Sequence, residues 1–486
     1  MTPEEFRRAG HELIDWIADY RESLEGRRVL ADVGPGDVRR SLPAEPPTVP
    51  EPFDRVLADL DQIILPGVTN VQHPMHFGWF PSNAALASVL GDLASSGIGG
   101  LGISWESCPS LTEVEEVTCD WMRQLVGLSS NWSGTIQDTA STAAVVALLA
   151  ARERATDFSE TRGGLQSEAA PLTVYTTGQA HSSVLKAVSI AGYGTDNLRM
   201  VPVDPVSRSM VPEALAEMIA ADIAAGCHPA AVVASIGTTG TTAFDPLPEI
   251  AAVLAEVSVD GRPPSWLHVD AAMAGSAMIC PELRGLWEGV EAADSLSFNP
   301  HKWLGTILDC SLFYVRDPQH LVRVFSSNPS YLQSSADGQV TQFRDWGIPL
   351  GRRFRALKLW FHLRIDGVES MRVRVRRDLA NARWLAEAVS AAPGWEVLAP
   401  VQLQTVCVRH VPDGISAETL EAHTQQWAAA LNRSGAAYVT PSKLDDRWMV
   451  RVSVGVEGTE REHVARLWEL MQDAARQAED AGSILR

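Results

Sequence analysis

Apolar residues near the N-terminus follow the periodicity of amphipathic helices. Over 6–24 they fall largely on one stripe at a spacing of 3.6 residues, with Thr2 and Pro3 as the N-cap and first turn. A proline-rich connector without periodicity follows at 42–52, and a second amphipathic helix is predicted over 53–65. Because neither helix has an evident core of its own, we expect both to pack on a partner surface.

Between about 83 and 317 the pattern changes to helices that alternate with short apolar runs bounded by Gly, Pro or Asp. The runs predicted to be strands are 172–176, 230–236, 266–270, 295–298 and 311–315. Such alternation predicts an α/β fold with a mainly parallel sheet covered by helices. Because ligands of these sheets bind outside the carboxyl ends of the strands, the residues that follow each run are the first candidates for a site.

The remainder of the chain predicts a long loop and a smaller mixed region. The stretch 326–345 is polar, aperiodic and long for a loop, so we expect it to be either disordered or functional. A long helix is predicted over 352–367. The tail then alternates helices with strand-like runs at 405–408 and 449–452, which favours a small α+β domain.

Composition and charge exclude several classes of protein. The hydrophobic share of 45% and the charged share of 21% are typical of a globular protein, not of disorder, collagen or a coiled coil. With 40 basic and 60 acidic residues, the net charge of −20 repels a phosphate backbone, so nucleic acid and anionic membrane are poor partners. The longest apolar run, 143–151, is about half a bilayer span, and the N-terminus shows no signal-like core. We therefore expect a cytoplasmic protein.

Cysteine and lysine usage favours amine chemistry over metal chemistry. The six cysteines form no C-x-x-C pair and accompany no histidine cluster at metal spacing, so we expect buried, reduced thiols and no metal site. Only four residues are lysines, and a lysine amine, unlike arginine, can lose its proton and attack a carbonyl. Lys186 and Lys358 lie in predicted helices and Lys443 in a turn, so we expect these three to be solvated. Lys302, at a strand exit, is the exception.

Asp270 and Lys302 form the most informative pair in the sequence. Asp270 ends the apolar strand 266–270, and Lys302 follows the next strand. Alone, the aspartate would most often cap a helix and the lysine would most often be solvated. Together at one sheet edge, they are what pyridoxal 5'-phosphate (PLP) requires. The lysine forms the Schiff base, and the aspartate keeps the pyridine nitrogen protonated so that the ring is an electron sink.

Three further stretches fit a PLP site, although each signal is weak by itself. Small hydroxyl residues over 134–143 open an apolar helix, where backbone N–H groups could cradle a phosphate, but an ordinary N-cap has the same pattern. His181 begins another helix after a strand and could lie flat on the cofactor ring, although a lone histidine is more often structural. The hydroxyls of 235–240 close a further strand and could face the same rim.

These motifs resemble the group II pyridoxal-phosphate-dependent decarboxylases, and most closely the aromatic-L-amino-acid decarboxylases, over nearly the whole chain. His-Val-Asp-Ala-Ala at 268–272 and Asn-Pro-His-Lys-Trp at 299–303 are the specific blocks, and Gly-Arg-Arg-Phe-Arg at 351–355 points to the aromatic branch. The resemblance implies PLP-dependent transferase fold type I with a seven-stranded, mainly parallel sheet. Its three segments would be an N-terminal helical segment that clasps a dimer mate (1–82), a large PLP-binding domain (83–367) and a small C-terminal α+β domain (368–486).

The resemblance also implies roles for individual residues. Lys302 would carry the internal aldimine, Asp270 would bind the pyridine nitrogen, His181 would stack on the ring and Ala272 would pack on its other face. Thr239 would lie near the ring and the substrate carboxylate. The implied phosphate contacts are Ala140, Ser141, Asn299 and His301. The implied substrate pocket consists of Trp79, Phe80, Pro81, Ser82 and Gly351, together with Leu101 and Ile103 from the neighbouring subunit of a homodimer.

The implied reaction is the decarboxylation of an aromatic L-amino acid through a quinonoid to the arylalkylamine and CO2, the work of a carboxy-lyase. One departure from the family pattern concerns the product. Family decarboxylases usually carry a catalytic tyrosine three residues before a tryptophan, whereas Phe343 stands three residues before Trp346 here. Phenylalanine has no proton to donate, and this swap is associated with aldehyde synthases. If His181 or a water molecule donates the proton instead, a plain amine results.

Two rival interpretations stay open. A glutamate-type decarboxylase of the same fold would need an arginine that reaches the distal carboxylate of the substrate, and the sequence offers none that can be assigned. A non-catalytic binding or scaffold protein would have a damaged cofactor site, but Lys302, Asp270 and His181 are all in place. An aromatic amino acid decarboxylase is therefore the main expectation and an aromatic aldehyde synthase the alternative.

Overall fold

The computed structural model describes residues 1–257, 263–327 and 336–484. The chain divides into two compact units. The first comprises Met1–Pro81, Ala380–Leu398 and Val406–Arg486, and the second comprises Ser82–Leu379 and Ala399–Thr405. The division into three functional segments stays a prediction.

The second unit is built on a seven-stranded sheet of order β1-β7-β6-β5-β4-β2-β3. All neighbouring strands from β6 to β3 pair in parallel, and only β7 runs against its neighbours β1 and β6. The predicted mainly parallel sheet is thus confirmed. The strands are β1 Ser133–Gln137, β2 Leu172–Thr177, β3 Leu198–Val201, β4 His228–Ser235, β5 Trp266–Asp270, β6 Ser295–Phe298 and β7 Ser311–Val315.

Helices of the second unit cover this sheet. They are α4 Leu86–Ile98, α5 Pro109–Val126, α6 Ala140–Ala155, α7 Ser183–Ile190, α8 Pro212–Ala224, α9 Leu247–Glu256, α10 Pro318–Phe325 and α11 Ala356–Ile365. Helix α6 contains the long apolar run of the sequence, and residues on nearly all its sides are buried in the hydrophobic core, as expected for a helix that is apolar all round. Helix α12, Val368–Ala391, continues from the second unit into the first.

The first unit carries the N-terminal helices and most of a four-stranded sheet of order β10-β11-β9-β8. The predicted first helix is α1, where Thr2 and Glu5 form a capping box. The predicted helix 53–65 is α-helical only to Asp59 and then continues as a π-helical turn and a 3-10 turn. The elements are α1 Pro3–Glu22, α2 Asp37–Ser41, α3 Phe53–Asp59, α13 Ala417–Ser434, α14 Arg461–Ile484, β8 Trp395–Val397, β9 Thr405–His410, β10 Thr440–Leu444 and β11 Arg447–Ser453.

The expectation that Lys358 is solvated is wrong, although Lys186 and Lys443 are exposed. Only 1% of the Lys358 side chain is accessible, and its Nζ lies 3.1 Å from Asp92 Oδ1 and 3.4 Å from Asp309 Oδ1. The burial follows from a close approach of α11 to α4. A Cβ on Gly91 would come within 2.7 Å of the Lys358 Cα, so only glycine allows this contact.

The six cysteines differ in burial. All six cysteines are free, but only four are buried; Cys108 and Cys227 are half-buried, so the expectation of complete burial is wrong for these two.

Within the ranges that the structure describes, every helix is too short or too polar to traverse a lipid bilayer. The cytoplasmic location stays a prediction.

Candidate functional site

The turns after β5 and β6 lie side by side at the carboxyl edge of the sheet. The two strands pair in parallel, with Asp270 opposite Ser297. The Ala272 N–H donates to Asp270 Oδ1 at 3.0 Å, and the Asn299 N–H donates to the Ala272 carbonyl at 2.9 Å. Two short hydrogen bonds therefore connect the predicted pyridine-binding carboxylate to the turn that carries Lys302.

Lys302 lies inside the tight turn Pro300–Leu304. Its φ of −98° and ψ of −107° interrupt the helical conformation of that turn, and its N–H donates to the Asn299 carbonyl at 3.0 Å. The neighbours His301 and Trp303 are buried, whereas Lys302 is half-buried. The turn thus presents one partly accessible amine on an otherwise buried segment.

His181 follows β2 and is exposed at the same edge. Its Nδ1 accepts the Ser183 N–H at 3.1 Å, so the proton of the neutral imidazole is on Nε2. Partial desolvation lowers the pKa of His181, the positive charge of Lys302 lowers it further, and Asp270 opposes both effects. Lys302 and Asp270 therefore both lie within electrostatic range of this imidazole.

Asn299 and His301 are oriented as hydrogen-bond donors. Asn299 Oδ1 accepts the Ser311 hydroxyl at 2.7 Å, which leaves the amide NH2 of Asn299 to donate. His301 Nδ1 accepts the Cys310 N–H at 2.9 Å, so the proton of its neutral ring is on Nε2. Burial, followed by the charge of Lys302, lowers the pKa of His301 to about 4, so the ring is neutral at pH 7.

The start of α6 adds further donors. Thr139 caps the helix, its hydroxyl accepting the Thr142 N–H at 3.4 Å. The first N–H groups of a helix have no acceptor within it, and they form the positive end of its dipole, so those of Ala140 and Ser141 favour an anion. Both residues are half-buried. These groups fit PLP. The hydrogen-bond donors complement its phosphate, the Lys302 amine complements its aldehyde, and the Asp270 carboxylate complements its pyridine nitrogen.

Thr239 lies in the turn after β4 and is half-buried. A Cβ on the adjacent Gly240 would lie 3.3 Å from Gln179 Oε1, so this turn adjoins the one that carries His181. The place of Thr239 near the ring and its contact with the substrate stay predictions.

Leu101, Ile103 and Gly351 form a second cluster in the same unit. The Gly102 N–H donates to the Arg352 carbonyl at 3.1 Å, and Leu101 Cδ1 lies 4.0 Å from where a Cβ on Gly351 would stand. Leu101 and Gly351 are exposed and Ile103 is half-buried. These predicted substrate positions therefore share one surface.

The remaining predicted substrate residues lie where the two units join along the chain. Trp79, Phe80 and Pro81 belong to the first unit and Ser82 to the second. Trp79 has a left-handed φ of 48°, and its N–H donates to Thr440 Oγ1 at 2.6 Å. The Phe80 ring lies 4.8 Å from the guanidinium of Arg451. Trp79 is about half exposed, which leaves an aromatic surface available.

The expectation that Phe343 lies in a polar loop is wrong. Residues Phe343–Trp346 form a 3-10 helix whose four side chains are buried, and the Phe343 ring, 6% exposed, belongs to the hydrophobic core. It packs edge-on against Trp346 at 5.3 Å, with the Arg352 guanidinium 5.0 Å from its centre. These core contacts of Phe343 and Trp346 end the loop early. The middle of the predicted loop, 328–335, lies outside the described residues, and the catalytic role of Phe343 stays a prediction.

Comparison with known proteins decides the family. The model of the pyridoxal-dependent decarboxylase conserved domain matches residues 35–411. The chain belongs to the pyridoxal-dependent decarboxylase family. It is 38% identical to tryptophan decarboxylase 2 of Oryza sativa subsp. japonica, over 98% of this chain and 95% of that protein. It is also 38% identical to phenylacetaldehyde synthase of Arabidopsis thaliana, over 98% and 96% respectively.

A solved structure agrees over the same length. The crystal structure of Oryza sativa TDC with PLP and tryptamine superposes with a TM-score of 0.93 at 36% identity, covering 98% of this chain and 99% of that one. The predicted fold type I, the PLP cofactor and a carboxy-lyase activity are thereby confirmed for this pyridoxal-dependent decarboxylase.

Two pairs of buried charged residues were not predicted from the sequence. Arg374 and Asp378 contact the turn that carries Lys302, and Glu115 pairs with Arg352 next to Gly351. Arg374 and Asp378 stand four residues apart on a helix rich in arginine, a spacing that is also typical of a surface ion pair. Glu115 and Arg352 are far apart in sequence. Trp303, next to Lys302, was the one available signal, because a buried indole N–H usually needs an acceptor.

Proposed function

We propose that this family member decarboxylates an aromatic L-amino acid to the corresponding arylalkylamine and CO2. When bound, PLP supplies an electron sink for the pair of electrons left at Cα. The observation that carries the proposal is the arrangement at the sheet edge, where hydrogen bonds through Ala272 link Asp270 to Asn299 in the segment that carries Lys302. The relatives whose names specify tryptophan or aromatic amino acids support the substrate class.

The chain's own groups divide the work. Lys302 would hold the cofactor through its amine, which the substrate amine would replace, and Asp270 would pair with the pyridine nitrogen and favour its protonated form. His181 would donate a proton toward Cα from its protonated form and return to the neutral imidazole, which its lowered pKa favours. Asn299, His301 and the start of α6 would hold the phosphate with their hydrogen-bond donors. Transfer of the substrate carboxylate from water to an apolar pocket favours loss of its charge as CO2.

An aromatic side chain is the substrate group that the predicted pocket residues suit. Trp79 and Phe80 are aromatic, and Leu101 and Ile103 are aliphatic. The solved rice structure contains tryptamine, the amine that corresponds to tryptophan.

Two measurements test the activity. Wild-type protein with PLP should show a visible absorbance band that borohydride abolishes, with the pyridoxyl group on Lys302, and should release CO2 from L-tryptophan or L-phenylalanine but not from L-glutamate. Lys302→Arg should lose the band and the activity, whereas the matched control Lys186→Arg, at an exposed site, should keep both. A wild-type protein without the band, or one that prefers glutamate, would contradict the proposal.

The proposed assembly is a homodimer. An exposed apolar stripe runs along α4. It consists of residues that are 44% to 63% exposed, namely Leu86, Leu90, Leu93 and Ile98, and Leu101 extends it toward Ile103 and Gly351. A second copy covering this stripe would bring Leu101 and Ile103 to the neighbouring site, as the family resemblance implies. Light scattering should give twice the chain mass for wild type, a lower mass for Leu90→Asp and the wild-type mass for the control Val206→Asp, which lies in an exposed turn. A monomeric wild type would contradict the dimer.

A further inference from the structure

The turn that carries Lys302 is anchored from behind by two buried charged residues of α12. Arg374 Nη2 donates to the Trp303 carbonyl at 2.9 Å and also to the Leu304 carbonyl. The last carbonyls of a helical turn lack hydrogen-bond donors within it, so one guanidinium satisfies two of them at once. Arg374 is itself buried.

Asp378 holds the side chain that follows Lys302. Its Oδ2 accepts the Trp303 indole N–H at 2.9 Å, and both residues are fully buried. Arg374 and Asp378 are four residues apart, so they lie on the same face of α12. One of them therefore fixes the backbone of the turn and the other fixes its tryptophan.

The contact between α12 and the turn is close. A Cβ on Gly305 would lie 2.7 Å from Arg374 Nη1, which shows that the guanidinium sits directly against the end of the turn. Gly305 also has a φ of 105°, which other residues rarely adopt. Glycine is required at this position for both reasons.

Burial of these charges needs an explanation beyond stability. Burial raises the pKa of Asp378 to about 6, so keeping the carboxylate ionised at pH 7 works against folding. An apolar pair of similar volume would usually fill such a place at lower cost. A carboxylate and a guanidinium, however, fix direction, and direction matters most for the segment whose lysine must meet a bound cofactor.

We propose that Arg374 and Asp378 are positioning residues for Lys302, acting through Trp303 and the turn carbonyls. The inference rests on the proposed function in one respect, that Lys302 holds PLP. Loss of the anchor should leave the substrate pocket intact but let the turn move, so capture of PLP weakens while substrate recognition by the loaded enzyme does not.

The test compares Trp303→Phe, Asp378→Asn and Arg374→Gln with the control Arg376→Gln, which lies on the same helix but pairs with the exposed Glu282. Titration with PLP gives the dissociation constant. Borohydride reduction followed by peptide mass analysis gives the fraction of Lys302 that carries a pyridoxyl group. Thermal unfolding shows that each variant is folded.

We expect Trp303→Phe and Arg374→Gln to bind PLP about tenfold more weakly and to be trapped less completely at Lys302, with KM for the amino acid unchanged at saturating PLP. The PLP affinity of Asp378→Asn, which still offers an acceptor to Trp303, should lie closer to that of wild type. The control Arg376→Gln should bind PLP as tightly as wild type. Folded Trp303→Phe and Arg374→Gln variants with wild-type PLP binding would overturn this inference alone. A wild type that is never trapped at Lys302 would overturn the proposed function instead.

Discussion

His301 shows how one hydrogen bond sets the role of a residue. Because its Nδ1 accepts the Cys310 N–H, Nε2 of the neutral ring carries the proton, and we expect Nε2 to donate to the cofactor phosphate. Glutamine can place an N–H donor near the position of Nε2, whereas leucine cannot. We expect His301→Leu to bind PLP about tenfold more weakly and His301→Gln to stay near wild type, as measured by PLP titration. Equal losses in both variants would mean that His301 acts by shape and not by donation.

Phe343 was predicted at a catalytic position, yet its ring is in the core. The ring is buried, and a buried hydroxyl that finds no hydrogen-bond partner costs about 1–3 kcal/mol. We therefore expect Phe343→Tyr to lower thermal stability and leave the reaction product unchanged, as measured by unfolding and product analysis. The companion variant is Tyr331→Phe, which removes the phenol of the one tyrosine that lies outside the described residues. A wild type that makes aldehyde and a Phe343→Tyr variant that makes amine would contradict this account.

At the scale of elements, Glu115 and Arg352 join α5, β1 and the segment that carries Gly351. Arg352 contacts both carboxylate oxygens of Glu115 at 2.6 and 2.9 Å, and Glu115 Oε1 accepts the Ile136 N–H at 2.8 Å. Both side chains are buried. Glu115→Ala leaves an uncompensated buried guanidinium, so the free energy of unfolding should fall by about 3–5 kcal/mol in chemical denaturation.

The matched variant is Glu115→Gln, which keeps the hydrogen-bond geometry and loses the charge. It should be destabilised less than Glu115→Ala. A change of under 1 kcal/mol in Glu115→Ala would show that this pair does not support the segment, contrary to what the contacts indicate.

Sequence patterns predicted the central strands better than the edges. The runs at β2, β4, β5, β6 and β7 are buried along all or nearly all of their length, and their apolar pattern is clear. The two edge strands β1 and β3 were not predicted, because each is partly exposed and carries a mixed pattern. The helix predicted from 352 begins at Ala356, since Arg352 is turned toward Glu115 instead.

The central residues of the site could be predicted because their chemistry is rare: a lysine and an aspartate at adjacent strand ends. Lys358 was misjudged because the sequence does not show that Gly91 lets α11 approach α4. Arg374 and Asp378 were missed because their partners are a tryptophan side chain and backbone carbonyls, whose position depends on the fold.

At the scale of the whole molecule, buried histidines make stability depend on pH. Burial lowers the pKa of His76, His268, His301 and His423 to about 4 and that of His362 to about 3. Below about pH 6.5 the unfolded chain binds protons that these folded residues do not, so their contribution to stability is lost as the pH falls from about 6.5 to 4.

Burial also raises the pKa of the buried aspartates Asp245, Asp345 and Asp378, which acts in the opposite direction. Burial raises the pKa of Asp245 and Asp378 to about 6, so the folded chain binds protons before the unfolded chain does and gains stability between about pH 6 and 4. The five histidines outnumber them. We expect Tm to fall between pH 7 and pH 5 in calorimetry, and a constant or rising Tm would contradict this balance.

The central claim is that this pyridoxal-dependent decarboxylase protonates Cα and releases an amine. Sequence identity alone does not decide this, because a decarboxylase and an aldehyde synthase match the chain equally at 38%. The most direct measurement is to supply L-tryptophan in air and quantify amine, aldehyde and hydrogen peroxide in one reaction. The account predicts amine equal to the CO2 released, without peroxide. Aldehyde accompanied by an equal amount of peroxide would contradict it.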